Sequence, residues 1–360
     1  MKENRSNNYS SIRFIDLFAG IGGFHCAIQN VGQKINVPVK CVFSSEIDKE
    51  CQRVYTENFG ETPEGDITKI PTESIPDHDI LLAGFPCQPF SIIGNLKGFE
   101  DTRGTLFFEI AKILAAKNPT AFVLENVKLL VGHNKGKTIK RIMGTLKELG
   151  YHATYQVFNA IDFGLPQKRE RVFIVGFQEP CFFDWPKEKI PMKPLSEILE
   201  KNVPEQYYAS EHIRKKRLSR QSPTKEPTIW HENKAGNISA YPFSCALRAG
   251  ASYNYLLVNG ERRLTSREML RLQGFPDSFK IVCSYTQTRK QAGNSLPVPV
   301  AQAIIENVFK ACGWGHTDYM FETDKLIIDD QLRLFEKKAK YGQIAKTEKC
   351  RKIQAAVSSQ

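Results

Sequence analysis

Five short apolar runs, separated by stretches with helical periodicity, restrict the first half of the chain to a sheet flanked by helices. IRFIDLF (12–18), VKCVFSS (39–45), DILLAGF (79–85), AFVLE (121–125) and RVFIVGF (171–177) read as strands buried on both faces, the signature of a parallel sheet. Between them, Phe24, Ala27, Ile28 and Val31 share one helical face, as do Leu106, Ile110, Ile113 and Leu114, and Ile139, Ile142, Met143 and Leu146. Strands alternating with amphipathic helices predict an α/β, doubly wound domain.

The pattern breaks at QEPCFFDWPKEKIPMKPLSE (178–197), which carries four prolines, and the stretch to about residue 260 is polar, basic and weakly periodic. Order resumes where Thr265 and Glu268 make a capping box and Gly274 then Pro276 stop the helix. A last helix follows Pro297 and Pro299, with Ala301, Ile304, Ile305 and Val308 on one face. The expected organisation is a catalytic domain over 1–177 completed by 291–312, a smaller domain over 178–290, and a basic tail over 313–360.

A net charge of +11 on 360 residues points to a polyanionic partner. Region 201–271 holds 13 Lys or Arg against 6 acids, which suits contact with a phosphate backbone. Nine cysteines with no CxxC pair suggest reduced thiols, a cytoplasmic setting and no metal site. The first twenty residues lack an apolar signal core, and no apolar run approaches the ~20 residues of a membrane span, so neither secretion nor a membrane is expected.

Four strands end in residues that suit a site better than a core. They are Phe18-Ala19-Gly20-Ile21-Gly22-Gly23, then Glu46, then Gly84-Phe85-Pro86-Cys87, then Glu125-Asn126. Ligands of open α/β sheets bind at the carboxyl ends of strands. The glycine turn suits close backbone approach to a ligand, or simply a tight strand-to-helix turn. His25 stands where a dinucleotide fingerprint needs its last glycine. Glu46 is placed for a ribose diol and Asp66 for an adenine amine, so an adenosine cofactor without pyrophosphate fits. Cys87, between Pro86 and Pro89, reads as a nucleophile on a rigid turn rather than a buried hydrophobe. Glu125 is either satisfied by helix N–H groups or, with a pKa raised by burial, a proton donor. Gln167, Arg169 and Arg171 alternate, predicting a row on one side of a strand that is either an exposed basic edge or an anion- or base-binding surface.

DLFAGIGGF (16–24), GFPCQPFS (84–91), ENV (125–127), QKRER (167–171), RRLTSREMLRLQGFPDSF (262–279) and QAGNSLPVPVAQAI (291–304) resemble the ordered motifs of the bacterial DNA (cytosine-5) methyltransferases of type II restriction-modification systems. The resemblance runs from about residue 12 to 310, and GFEDTRGTLFF (98–108) is similar to the family's mobile catalytic loop. It implies a Rossmann-like S-adenosylmethionine-dependent methyltransferase domain with a smaller DNA-recognition domain. Phe18, Gly20, Gly22, Gly23, Glu46, Ile47, Asp66, Ile67, Gly84, Pro86, Asn294 and Ser295 would surround the cofactor, the last two contributed by the final helix. Cys87 would attack cytosine carbon-6, Glu125 would donate to nitrogen-3, Arg171 would hold the carbonyl oxygen, and Arg169 would orient Glu125 or a phosphate.

The same resemblance implies duplex DNA as partner, base flipping, and a cognate restriction endonuclease with which no stable complex is expected; a monomer suffices for one flipped base. Gln88, Ser91, Ile92 and Arg103 become candidates to close on the DNA, with Arg248, Asn254 and Asn233 as candidate base readers. Two positions depart from relatives: Ile47 stands where some have Trp, and Cys245-Ala246-Leu247-Arg248 where many have a Thr-Leu pair. A transfer-RNA methyltransferase and a catalytically dead DNA-binding protein are the competing readings. The basic insertion weighs against the first, and Cys87, Glu125 and Arg171 together weigh against the second.

Overall fold

Each apolar run forms a strand, and the sheet they build is mixed rather than wholly parallel. The computed structural model describes residues 11–86, 106–233 and 235–315. In chain order the first part holds β1 (Ile12–Leu17), α1 (Gly23–Ile35), β2 (Val39–Ser45), α2 (Lys49–Phe59), β3 (Ile80–Gly84), α3 (Leu106–Lys117) and β4 (Ala121–Val127). It continues through α4 (Leu129–Gly132), α5 (Lys137–Glu148), β5 (His152–Asn159), β6 (Gln167–Lys168) and β7 (Glu170–Phe177).

Among the described residues the main sheet has six strands in the order β2-β1-β3-β4-β7-β5. β2, β1, β3 and β4 run parallel, whereas β7 lies antiparallel to both β4 and β5. A strand buried on both faces has the same apolar composition in either direction, so sequence pattern does not reveal this reversal. β5 is an edge strand with mostly exposed or half-buried side chains and carries no continuous apolar run to betray it. The three helical stripes form α1, α3 and α5 with their apolar faces inward.

The second part holds α6 (Leu195–Ile198), α7 (Glu211–Leu218), β8 (Ile229–Glu232), β9 (Ile238–Tyr241), β10 (Ser244–Cys245), β11 (Leu256–Val258), α8 (Ser266–Gln273), α9 (Tyr285–Asn294) and α10 (Val298–Ala311). The polar stretch thus contains an antiparallel sheet in the order β11-β8-β9, and β10 pairs with β6. The capping box at Thr265 and the left-handed Gly274 cap bound α8. Asn294 and Ser295 do not belong to the last helix: Asn294 ends α9 and Ser295 caps it, before α10 begins at Val298.

The described residues up to Trp314 form one compact unit, because one apolar cluster runs through both parts. Phe14 and Ile28 share a buried apolar cluster with Ile304 and Ile305 of α10 and with Leu247, Leu256 and Leu270 of the second part. α10 returns against α1, where Lys34 reaches Glu306 at 2.8 Å. Among the described residues no helix is long and apolar enough to cross a membrane.

Candidate active site

The carboxyl ends of β1 to β4 open onto one cleft of about 710 Å³. After β1 the chain makes a tight turn, with Phe18 and Gly20 in left-handed backbone and Gly22 capping α1 at φ 83°. Gly20 N–H donates to Glu46 Oε2 at 2.8 Å, and Asp48 N–H donates to Oε1 at 2.8 Å. Glu46 therefore locks the β1 turn to the start of α2, whose N-cap is Asp48. Lys290 of α9 fastens the same point, 2.8 Å from Asp48.

Phe18, Glu46, Ile47, Asp66 and Ile67 line one side of the cleft. Ile47 is 69% exposed there, an apolar surface left open among the described residues. Asp66 caps a short turn, and the N–H and hydroxyl of Thr68 hold its carboxyl below the usual carboxylate range.

The opposite wall comes from β3, β4 and β7. Gly84 pairs with Glu125 in register, setting the carboxylate beside the turn that leads to residue 87. Asn126, itself buried, donates from Nδ2 to Phe85 O at 2.8 Å and so ties that turn to β4. Arg171 Nε lies 2.8 Å from Glu125 Oε1, and Arg171 Nη1 donates to Glu170 O at 2.8 Å. Burial pushes the Glu125 carboxyl up, and Arg171 and then Arg169 pull it part of the way back. The group is thereby poised to hold a proton or give one up.

Eight of the expected cofactor residues line the cleft: Phe18, Glu46, Ile47, Asp66, Ile67, Gly84, Pro86 and Asn294. Gly20, Gly22, Gly23 and Ser295 do not line it. The space a Gly22 side chain would take is filled by the Phe59 ring, and Gly23 backs onto Ser295 and Leu296. At both positions a side chain would run into this packing behind the turn.

Arg169 also departs from expectation. It is 1% exposed, with Nη1 donating to Leu247 O at 3.0 Å and Nη2 to Gly293 O at 3.0 Å and to Ser295 O. Both terminal nitrogens are thus engaged by main-chain carbonyls, Nε is buried with no hydrogen-bond partner among the described residues, and the charge acts on Glu125 from a distance. Burial pushes its guanidinium down to about 9. Gln167 is likewise buried and holds Leu247 N–H and Leu272 O. The expected row divides, with two members bracing the fold and Arg171 facing the cleft.

Cys87, Gln88, Ser91, Ile92 and Arg103 lie outside the described residues. Arg248 is exposed, with its guanidinium 4.9 Å from the centre of the Tyr255 ring. Asn233 caps its own turn, accepting from Ala235 and Asn237 N–H. That leaves the side chain less suited to base reading than expected. Asn126, Leu106, Gly65, Thr68 and Gly293 also line the cleft; of these, Asn126, adjacent to Glu125, had a sequence signal. Away from the cleft, donor atoms of His25, Cys41 and Glu61 lie within 4.8 Å of one another, but both His25 ring nitrogens already pair with Tyr55 and Gln29.

An α/β sheet with Glu46, Glu125 and Arg171 on one cleft at its strand ends is a Rossmann-like methyltransferase fold. Residues 12–310 match the family described as C-5 cytosine-specific DNA methylase, and the chain belongs to that family, an enzyme class of DNA (cytosine-5) methyltransferases. It is 57% identical over 295 residues to the type II methyltransferase M.HaeII of Haemophilus aegyptius, covering 81% of this chain and 90% of that protein. It is 56% identical over 294 residues to M.NgoBI of Neisseria gonorrhoeae, covering 80% and 90%. The crystal structure of S. pombe Dnmt2 methyltransferase shares the fold at a TM-score of 0.65, with 21% identity, 83% of this chain and 98% of that chain covered.

Proposed function

We propose that this chain is a sequence-specific DNA methyltransferase that moves a methyl group from S-adenosylmethionine to carbon-5 of a flipped-out cytosine in duplex DNA. The modification would protect that DNA from a cognate restriction endonuclease, in the bacterial cytoplasm and with no stable complex between the two. A monomer suffices. One observation carries this reading: Glu46, Ile47 and Asp66 share a single cleft with Glu125 and Arg171, so a methyl donor and a base can meet there.

The donor set fits the cofactor. Glu46 suits a ribose diol, the uncovered Ile47 side chain suits one face of adenine, and Asp66 with Ile67 suits its edge. Phe18, Gly84, Pro86 and Asn294 complete the enclosure. When bound, S-adenosylmethionine supplies an electrophilic sulfonium methyl group.

Cytosine carbon-5 is a weak nucleophile, which Cys87, Glu125 and Arg171 would correct together. The Cys87 thiolate adds to carbon-6, forming an S–C bond and moving the ring's electron pair toward carbon-5 and nitrogen-3. Glu125, whose carboxyl burial pushes up, would donate a proton to nitrogen-3 and face the exocyclic amine. Arg171 fixes Glu125 through Nε and offers its remaining edge to the carbonyl oxygen. Once carbon-5 carries the methyl group, a base removes its proton and the electron pair returns to expel Cys87. Because carbon-6 is hidden in a stacked duplex, the nucleotide has to leave the helix. Gln88, Ser91 and Arg103 are proposed to close on the DNA, and residues 178–290, with Arg248, to read its sequence.

The test is incubation of the purified chain with labelled S-adenosylmethionine and either duplex DNA or transfer RNA, together with methylation-sensitive sequencing of DNA from an expressing host. Methyl transfer to cytosine in one short DNA motif is expected. Cys87→Ser should keep cofactor and DNA binding and lose transfer, and wild-type protein should form a stable adduct with DNA containing 5-fluorocytosine. Transfer confined to RNA, or full turnover in Cys87→Ser, would refute the reading.

A further inference from the structure

The segment between β10 and β11 is held against α9 by contacts that the proposed chemistry does not require. Arg289 of α9 donates from Nη1 to Ala251 O at 2.8 Å, and its guanidinium lies 4.4 Å from the centre of the Tyr253 ring. Tyr253 in turn stacks on Tyr285 and its hydroxyl lies 2.8 Å from Thr286 Oγ1. On the other side of the segment, Arg248 N–H donates to Tyr255 OH at 2.9 Å while its guanidinium lies over the same ring.

The same helix delivers Gly293 to the cleft wall. There the two backbones touch: a side chain at Gly293 would stand 2.4 Å from Ala249 N. Arg169 spans the junction from beneath, binding Leu247 O and Gly293 O. Residues 247–253 are thus pinned at three points to α9, which delivers Gly293 to the cleft wall, and the exposed Arg248 is carried on this segment.

Resting on the reading that this chain methylates a specific DNA sequence, we infer that Arg289 is a positioning residue for target recognition. Through the Ala251 carbonyl and the Tyr253 ring it fixes the 248–253 segment relative to the cleft, so that base reading and methyl transfer share one frame. A cation over an aromatic ring combined with a main-chain hydrogen bond supplies both distance and angle, which a salt bridge between mobile side chains does not. Discrimination between base pairs depends on such placement, since a misplaced donor no longer reaches its base.

The experiment compares Arg289→Ala, Arg289→Lys and wild type on a duplex pool in which every position of the wild-type target is varied singly. It reads the ratio of kcat/KM on the target to that on each variant site, with cofactor Kd and Tm measured alongside. In Arg289→Ala the ratio should fall about tenfold, the scale of one mismatched base pair, while cofactor Kd stays within about twofold. Arg289→Lys keeps a cation and a donor and should restore most of the ratio. Should Arg289→Ala fail to fold, Thr286→Val removes the partner of the Tyr253 hydroxyl on an exposed surface and should lower the ratio in the same direction. Equal loss on all sites, or an unchanged ratio in the folded variants, would overturn the inference. Absence of any DNA methylation by wild type would instead overturn the proposed function on which it rests.

Discussion

Arg171 Nε lies 2.8 Å from Glu125 Oε1 although the two residues belong to antiparallel neighbours, β7 and β4, and do not face each other in register: Arg171 pairs with Val127 and Glu125 with Phe173. The guanidinium reaches diagonally across the sheet end to meet the acid where the cleft opens. Both side chains are mostly buried, so neither charge is well solvated without the other.

Arg171→Ala should therefore lower kcat by at least about a hundredfold, the scale of a missing transition-state donor. Removing the cation raises Glu125 further, and the active form proposed for Glu125 is the protonated one. The alkaline fall in kcat should then move to higher pH, as measured by pH–rate profiles. Glu125→Gln, which cannot titrate, should lose that limb and turn over about 10² to 10⁴ times more slowly. A shift of the limb to lower pH in Arg171→Ala would contradict the assignment.

The basic helix α7 separates into two kinds of cation. Arg217 is 1% exposed, its Nη1 3.3 Å from Trp230 O and its Nη2 3.0 Å from Glu232 Oε2, and it belongs to the core rather than to a DNA surface. Arg217→Ala leaves the buried carbonyl of Trp230 and that of Asn254 without their donor, while Glu232 keeps Lys216, and should cost about 1–3 kcal/mol of stability, read by urea unfolding. Lys215 and Lys216 are exposed. Their change to Gln should leave stability nearly intact and reduce the slope of log affinity against log salt by about 0.9 for each DNA phosphate no longer neutralised.

Two glycines of the first turn should respond differently to alanine. Gly20, at φ 56°, has open space around it, so Gly20→Ala carries backbone strain alone, about 1–2 kcal/mol. Gly22, at φ 83°, would set its new carbon 2.1 Å from Phe59, adding overpacking of about 1–3 kcal/mol to that strain. Denaturant titration should rank them in that order, and Phe59→Leu should recover part of the Gly22→Ala loss.

His25 and Asp16 should give stability opposite pH dependences. His25 is buried, stacked on Phe59 and paired with Tyr55, and burial pushes it down to about 3. Between that value and the ordinary histidine range the unfolded chain binds a proton that the folded chain does not. Stability is complete above about pH 6.5 and lost as pH falls, by up to about 1.4 kcal/mol per unit. His25→Gln should flatten this acid limb in Tm measured against pH. Burial pushes Asp16 up, so above the ordinary carboxylate range the folded chain keeps a proton that the unfolded one releases. Stability from Asp16 is lost as pH rises, and Asp16→Asn should remove that decline.

The α/β layering, the strand ends that carry Glu46, Gly84 and Glu125, the α1 and α10 faces and the α8 caps are all legible in the amino-acid sequence. Each of these follows from local periodicity or from a side chain acting within a few residues of itself. Arg169 and Arg171 stand two apart with the same chemistry, and nothing local distinguishes the brace from the residue at the cleft. The folded chain separates them by bringing the carbonyls of Leu247, Gly293 and Ser295 to one and Glu125 to the other. The reversal of β7, the roles of Gly22 and Arg217, and the meeting of Arg289 with Ala251 have the same origin, since each depends on partners distant in the chain. Local sequence encodes which groups need burial or pairing; only the assembled core selects which partner each one finds.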